Sequence, residues 1–289
     1  METLMDGDVL WLGLHKTGTT FLQKSLDRSQ AALDQAGIAY VDLETCRRRW
    51  TRPLLHKGHP EVPAPGDLPA GKTRWLVFDE NILALVQHAL TRQGLYPKGG
   101  DRARIVADHL RLRRPRIVLG LRGFAGLLPS LYCEALKSTP FKTFEQFLLQ
   151  PVEAMSWQPL VEALRARFPG SEILLYRAED LPGREARLLA EVTGLPETAF
   201  ALLDKPERLG FSDAAMRRLH DMAEGGPVSH EDVRAAVRDL PRAPGQPGFS
   251  PWTPEDREIL EVNYARDLAI LRKRAAAGQL RLLDLAGGG

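Results

Sequence analysis

The chain contains 289 residues, of which 44% are hydrophobic and 26% are charged. This composition is typical of a globular protein with a sizeable core. A net charge of only +2 argues against a dedicated nucleic-acid binder, and no run approaches the roughly 18 apolar residues of a membrane span. Cys46 and Cys133 fit no metal-ligand spacing. The N-terminus lacks the basic and long apolar regions of a signal peptide, so we expect a cytoplasmic protein with a single domain over residues 1–289.

Short apolar runs alternate with amphipathic stretches along the chain. In chain order, the runs expected to form strands are residues 9–14, 38–41, 75–78, 117–121 and 172–176. The stretches expected to form helices are residues 21–36, 102–113, 159–168, 183–193 and 254–274. This alternation predicts an α/β fold with a central, mainly parallel sheet flanked by helices.

Two stretches rich in proline and glycine interrupt this alternation. Residues 47–71 contain five prolines and three glycines, and residues 241–254 contain five prolines and two glycines. Segments of this length without periodicity are usually functional loops or disordered, so we expect both to be irregular. In an enzyme they could cover the site and select its acceptor.

Residues 9–24 carry the strongest functional signal. An apolar run enters a turn with Gly13, Lys16 and Gly18, and a helical pattern follows at once. A loop between a strand and a helix N-terminus binds phosphate, because its amides point at the anion and the helix dipole favours negative charge. The Gly-x4-Gly spacing is that of nucleoside triphosphate-binding loops, but those continue with Lys-Ser/Thr, where this chain has Thr19-Thr20.

The sequence Leu-His-Lys-Thr-Gly-Thr-Thr-Phe-Leu-Gln of residues 14–23 resembles the 5′-phosphosulfate loop of sulfotransferases. These enzymes use 3′-phosphoadenosine 5′-phosphosulfate (PAPS). Weaker similarities follow in order at residues 96–99, 157–160, 176–181 and 208–212, so that the resemblance spans roughly residues 9 to 275. It implies a P-loop-like core in which Lys16 stabilises the leaving phosphate without a metal ion. The residues implied to cradle that phosphate are Thr17, Gly18, Thr19 and Thr20.

A second candidate pair follows the predicted strand at residues 117–121. Arg122 lies at its carboxyl end, and Ser130 comes eight residues later, a little over two helical turns. In sulfotransferases, an Arg and a Ser with this spacing bind the 3′-phosphate of PAPS, and the resemblance implies that role here. The chain departs from the family where Gly123-Phe124 replaces the frequent Asp-Pro, and Pro129 is expected to kink or delay the helix.

A hydroxyl acceptor must lose a proton as it attacks sulfur, which requires a base within hydrogen-bond reach. Glu80 follows the predicted strand at residues 75–78, and ligands of open α/β sheets bind at the carboxyl ends of strands. Some sulfotransferases use a glutamate in a similar place, whereas others use a histidine. The competing histidines are His15, His56, His59, His88 and His109.

The sequence therefore predicts a sulfotransferase that moves a sulfonyl group from PAPS to a hydroxyl or amine, leaving adenosine 3′,5′-bisphosphate. The acceptor is a small molecule or a glycan, and the catalytic candidates are Lys16, Glu80 and His15. Two alternatives stay open. One is a nucleoside triphosphate-dependent kinase with a variant loop, and the other is a nucleotide-binding relative without catalytic activity.

Overall fold

A computed structural model describes residues 7–56, 64–204, 210–243, 245–246 and 248–287. A six-stranded parallel sheet lies at its centre, with the strand order β2-β3-β1-β6-β7-β8. Its strands are β1 (Val9–Trp11), β2 (Ile38–Tyr40), β3 (Arg74–Phe78), β6 (Arg116–Leu121), β7 (Ile173–Arg177) and β8 (Arg281–Leu282). The short strands β4 (Leu90–Thr91) and β5 (Gly94–Leu95) form a separate antiparallel pair.

Helices flank this sheet on both sides. The first half of the chain contains α1 (Thr19–Arg28), α2 (Gln30–Gln35), α3 (Leu43–Cys46), α4 (Arg52–Leu55), α5 (Gly99–His109) and α6 (Phe124–Ala135). The second half contains α7 (Phe144–Phe147), α8 (Gln158–Arg167), α9 (Glu185–Thr193), α10 (Asp213–Glu224), α11 (His230–Asp239) and α12 (Pro254–Ala276). The α/β fold with a parallel sheet predicted from the alternating pattern is confirmed. No helix in the described part of the chain is both long and apolar enough to cross a membrane.

The strands are apolar on both faces, because each face of the sheet carries its own hydrophobic core. Leu22 and Leu26 of α1 pack with Leu188 of α9 on one face. Helices α5, α6, α8 and α12 contribute to the core on the other face. The chain leaves β1 toward α1 on the first face and leaves β6 toward α6 on the second. The carboxyl ends of β1 and β6 therefore form a topological switch point, where open α/β sheets bind their ligands.

The helix predicted over residues 21–36 is divided in two. Helix α1 ends at Arg28, and α2 begins at Gln30. Ser29 lies between them, where its hydroxyl donates to the carbonyl of Ser25 and accepts from the backbone amide of Ala201. A single helical period in the sequence did not reveal this break, because the amide that stabilises it comes from a distant part of the chain.

The irregular structure predicted for residues 47–71 is wrong for residues 47–55. A π-helical segment (Arg47–Thr51) joins α3 to α4. Cys46 and Trp50 are buried in the core, and Trp50 packs edge-on against Trp75. Pro53 lies in the first turn of α4, which continues the π-helical segment without a break. Residues 64–69 have no regular structure, and residues 57–63, which include His59, lie outside the described residues.

The second irregular segment matches its prediction over the residues that are described between 241 and 253, before α12 begins at Pro254. Its Trp252 donates through the indole nitrogen to the carbonyl of Ala125, at 2.8 Å. Pro129 lacks the amide hydrogen that would have bonded to this carbonyl in α6. The prediction that Pro129 delays the helix is therefore wrong. Trp252 replaces the missing donor, and α6 already begins at Phe124.

Candidate functional site

The loop between β1 and α1 has a conformation that its glycines make possible. Gly13 has a φ of +36°, and a Cβ atom there would lie 2.7 Å from the Phe78 ring and 2.8 Å from Thr19. Gly18 has a φ of +83° at the N-cap of α1. Lys16 also adopts a left-handed backbone, with a φ of +67°, which is uncommon for a residue with a side chain. Such outliers cluster at functional sites.

The N-terminus of α1 is open to an anion. No side chain caps it, and its first turn contains no acidic residue. Among the described residues, none accepts a hydrogen bond from the backbone amides of Gly18, Thr19 or Thr20. These amides and the helix dipole together favour a negatively charged group at this end of the helix.

A cleft of about 650 Å³ extends from this loop along α1. Seven of the predicted site residues line it: His15, Lys16, Gly18, Thr19, Thr20, Glu80 and Arg122. The sequence did not single out Gln23, Arg47, Asn81 and Glu134, which also line it. Thr20, Gln23 and Asp27 lie along one side of α1, so the cleft runs for about 10 Å beside the first two turns.

Two predicted site residues, Thr17 and Ser130, do not line the cleft. Thr17 is 1% exposed, and its hydroxyl donates to the carbonyl of Leu14 at 2.6 Å. It therefore holds the loop in shape from within. Ser130 lies in the middle of α6 and is partly buried. The Arg122 side chain instead donates to the carbonyl of Lys16, at 2.6 Å, which ties the end of β6 to the loop.

The ammonium group of Lys16 contacts a carboxylate from the opposite wall. Its Nζ lies 3.3 Å from Oε2 of Glu134, which also accepts from Lys137 at 2.8 Å. Burial alone would raise the pKa of Glu134, but the two ammonium groups outweigh burial and hold that pKa below its usual range. No spacing in the sequence marks Glu134, since Arg122 lies before α6 and Ser130 does not line the cleft.

Glu80 is held by hydrogen bonds at both carboxylate oxygens. Oε1 accepts from Nη2 of Arg47 at 3.0 Å, and Oε2 accepts from the amide nitrogen of Gln23 at 3.0 Å. Nε of Arg47 also donates to the buried Asp79, at 3.1 Å. Burial, together with the charge of Glu80, raises the pKa of Asp79 to about 6. The arrangement fixes the Glu80 carboxylate in one orientation facing the cleft.

His15 is held at both ring nitrogens. Nδ1 lies 3.0 Å from the Tyr96 hydroxyl, and Nε2 lies 3.1 Å from the side-chain amide of Asn81. In the amide orientation that satisfies all neighbours, the Asn81 nitrogen donates to Nε2 while its oxygen accepts from Arg47 at 3.1 and 3.2 Å. Burial lowers the pKa of His15, which favours the neutral imidazole. Its single acceptor lone pair is then already used, whereas each oxygen of Glu80 accepts one hydrogen bond and keeps a second lone pair.

The N-terminus of α6, beside Arg122, already contacts a carboxylate. Oε1 of Glu179 accepts from the amide of Gly123 at 2.7 Å, and Oε2 accepts from the hydroxyl of Tyr264 at 3.0 Å. Burial lowers the pKa of Arg122, although the charge of Glu179 acts in the opposite direction. Any anion bound here would therefore rely on the guanidinium of Arg122 more than on the dipole of α6.

Comparisons of the chain with protein-family models, curated proteins and solved structures found no match. Within the described residues, no group of three or more His, Cys, Asp or Glu side chains is arranged to hold a metal ion. The candidate site therefore rests on its own geometry: the open N-terminus of α1, the side chains of Lys16 and Arg122, and the oriented carboxylate of Glu80 around one cleft.

Proposed function

We propose that this protein is a PAPS-dependent sulfotransferase with a P-loop-like core. The observation that carries the proposal is the convergence of three elements on one cleft. These are the open N-terminus of α1 with Lys16, the guanidinium of Arg122 and the oriented carboxylate of Glu80. They lie at the carboxyl ends of adjacent parallel strands, where ligands of open α/β sheets bind.

In this proposal, the amides of Gly18, Thr19 and Thr20 bind the 5′-phosphate of the donor, and Lys16 lies beside it. Arg122 holds the 3′-phosphate through a charge-assisted contact. Ser130 is not needed for this role, since it does not line the cleft. Thr17 contributes by fixing the loop rather than by contacting the donor.

During transfer, the acceptor oxygen or nitrogen forms a bond to sulfur while the bond between sulfur and the 5′-phosphate oxygen breaks. The proton of the acceptor passes to Glu80, and the electron pair of the broken bond remains on the leaving phosphate. Lys16 stabilises the negative charge that develops there. For this it must leave Glu134, which Lys137 continues to neutralise.

Calorimetry distinguishes this proposal from a kinase. The protein should bind adenosine 3′,5′-bisphosphate without a divalent cation, and more tightly than it binds ATP with magnesium. Binding of ATP with magnesium in preference to the bisphosphate would support a kinase instead.

Turnover distinguishes the proposal from a non-catalytic binding protein. Sulfur-labelled PAPS should be consumed with one of a panel of hydroxyl and amine acceptors, which includes glycans and small phenols. Lys16→Ala should abolish this turnover, whereas Lys273→Ala, at an exposed lysine of α12, should retain it. Tight binding of the bisphosphate without turnover on any acceptor class would leave a binding protein.

A further inference from the structure

A second cavity, of about 880 Å³, lies on the other side of a short segment from the candidate site. Asn81 and Val86 line the first cleft, whereas residues 83–85 line the second cavity. The two spaces therefore share one wall but none of their lining residues. Nothing in the sulfotransferase proposal uses the second cavity.

The lining of this cavity is apolar and basic. Its apolar part comes from Leu55, residues 83–85, Tyr96 and Pro97. Its cations are Arg92, Lys98 and Arg102. The described residues that line it include no aspartate or glutamate. Cavities of this size and mixed lining are typical of small-molecule sites.

These cations have no carboxylate partners within the described part of the chain. The side chains of Arg92 and Lys98 are exposed and form no ion pair or hydrogen bond with any described residue. Arg102 is half-buried and donates to the carbonyls of Leu55, Asn81 and Ile82 at 2.9–3.0 Å. Carbonyl groups are neutral, so these bonds leave the charge of Arg102 in place, and the buried Asp79 acts on that charge without an ion-pair contact.

Some exposed cations elsewhere in the described chain are paired with carboxylates. Arg52 contacts Glu44, and Arg104 contacts Asp108. Three cations and no carboxylate line this apolar cavity, which gives it a local excess of positive charge. Such an excess attracts an anion, and the apolar walls attract the hydrophobic part of the same molecule.

We propose that this cavity is a binding site for a small amphipathic anion, with an apolar ring system inside and one sulfonate, carboxylate or phosphate group near Arg92 and Lys98. The site is separate from the proposed donor cleft. Tyr96 lines the cavity and contacts His15 through its hydroxyl, so an occupant would touch a residue that positions the first site.

The test uses 1-anilinonaphthalene-8-sulfonate, which is fluorescent, apolar and anionic. N-phenyl-1-naphthylamine has the same rings without the sulfonate and serves as the neutral probe. Arg102 is unsuitable for substitution, because its side chain holds α5 to the end of α4 at Leu55 and to residues 81–82. The variant is instead Arg92→Glu/Lys98→Glu, whose positions are both exposed, and the matched control is Arg272→Glu/Lys273→Glu on α12, with the same change in charge.

The sulfonate probe should bind the wild type and the control equally, and the Arg92→Glu/Lys98→Glu variant about fivefold or more weakly, because two attractions become two repulsions. The neutral probe should bind all three proteins alike. The proposal is overturned if the wild type does not bind the sulfonate, if both double variants bind it equally, or if the neutral probe loses the same factor. No step of this test depends on PAPS or on turnover.

Discussion

Replacing Glu80 by glutamine tests the assignment of the base with little change of shape. The glutamine oxygen can still accept from Arg47, but its amide group would face the Gln23 nitrogen, and both are donors. The Oε1 atom of Gln23 is buried without a partner among the described residues. A half-turn of the Gln23 amide therefore supplies an acceptor to the new glutamine, at the loss of the long bond from Gln23 to the carbonyl of Phe78, at 3.5 Å.

The expected loss of stability is small. The ion pair with Arg47 becomes a bond from a charged donor to a neutral oxygen, and the bond with Gln23 becomes neutral on both sides, which together costs about 1–2 kcal/mol. Removing the Glu80 charge also lowers the pKa of Asp79 toward its usual range, which offsets part of this cost. For a chain of this size, we expect the Tm to fall by about 2–4 °C.

The expected loss of activity is much larger. A neutral amide cannot take the acceptor's proton, so kcat should fall by about 10²–10⁴-fold, or about 2.7–5.4 kcal/mol of transition-state stabilisation. Labelled PAPS gives kcat, calorimetry with adenosine 3′,5′-bisphosphate shows whether the donor site is intact, and a thermal melt reports stability. If Glu80→Gln retains nearly full activity while His15→Ala is folded and inactive, the base is His15 and the argument from hydrogen bonding is wrong.

Three further substitutions test the other parts of the site. Lys16→Ala should lower kcat by about 10²–10³-fold with little change in affinity for adenosine 3′,5′-bisphosphate, since its charge acts mainly on the leaving phosphate; an unchanged kcat would exclude Lys16 from the mechanism. Arg122→Ala should weaken PAPS binding by about 10- to 150-fold but affect adenosine 5′-phosphosulfate much less; equal losses would refute the 3′-phosphate assignment. Asp79 has a pKa raised from 3.8 to about 6, so its contribution to stability is complete below pH 3.8 and is lost as the pH rises through 6. The difference in unfolding free energy between the wild type and Asp79→Asn, measured by urea titration, should therefore fall by about 3 kcal/mol between pH 3.8 and pH 6. A difference that does not change with pH would contradict the raised pKa.

The sequence predicted the parts of the fold that depend on local pattern. The five strand predictions correspond to β1, β2, β3, β6 and β7, because buried strands carry continuous apolar runs. Strand β8 was missed, since its two residues gain strand geometry only by pairing with β7. Helices α10 and α11 were also missed, although Ser212 and Ser229 are N-cap residues that could have marked their starts.

The site was predictable where it depends on the loop and on strand ends. Lys16, Glu80 and Arg122 meet in one cleft because the ends of parallel strands share one edge of the sheet. The roles of Arg47 and Glu134 could not be read from the residues alone. Arg47 is one of three consecutive arginines, and only the tertiary fold determines that it contacts Asp79 and Glu80.

The bond from Trp252 to the carbonyl of Ala125 has a consequence for the order in which the protein matures. Helix α6 begins at Phe124, two residues after Arg122, and Pro129 within it leaves the carbonyl of Ala125 without a helical donor. Trp252, 127 positions later in the chain, donates to that carbonyl instead. During synthesis the helix therefore remains incomplete until nearly the whole chain has left the ribosome. The aromatic contact of Trp252 with Phe144, at 5.0 Å, forms at the same late stage. Premature termination before residue 252 would accordingly weaken the helix that follows Arg122, even though every residue lining the cleft had already been made.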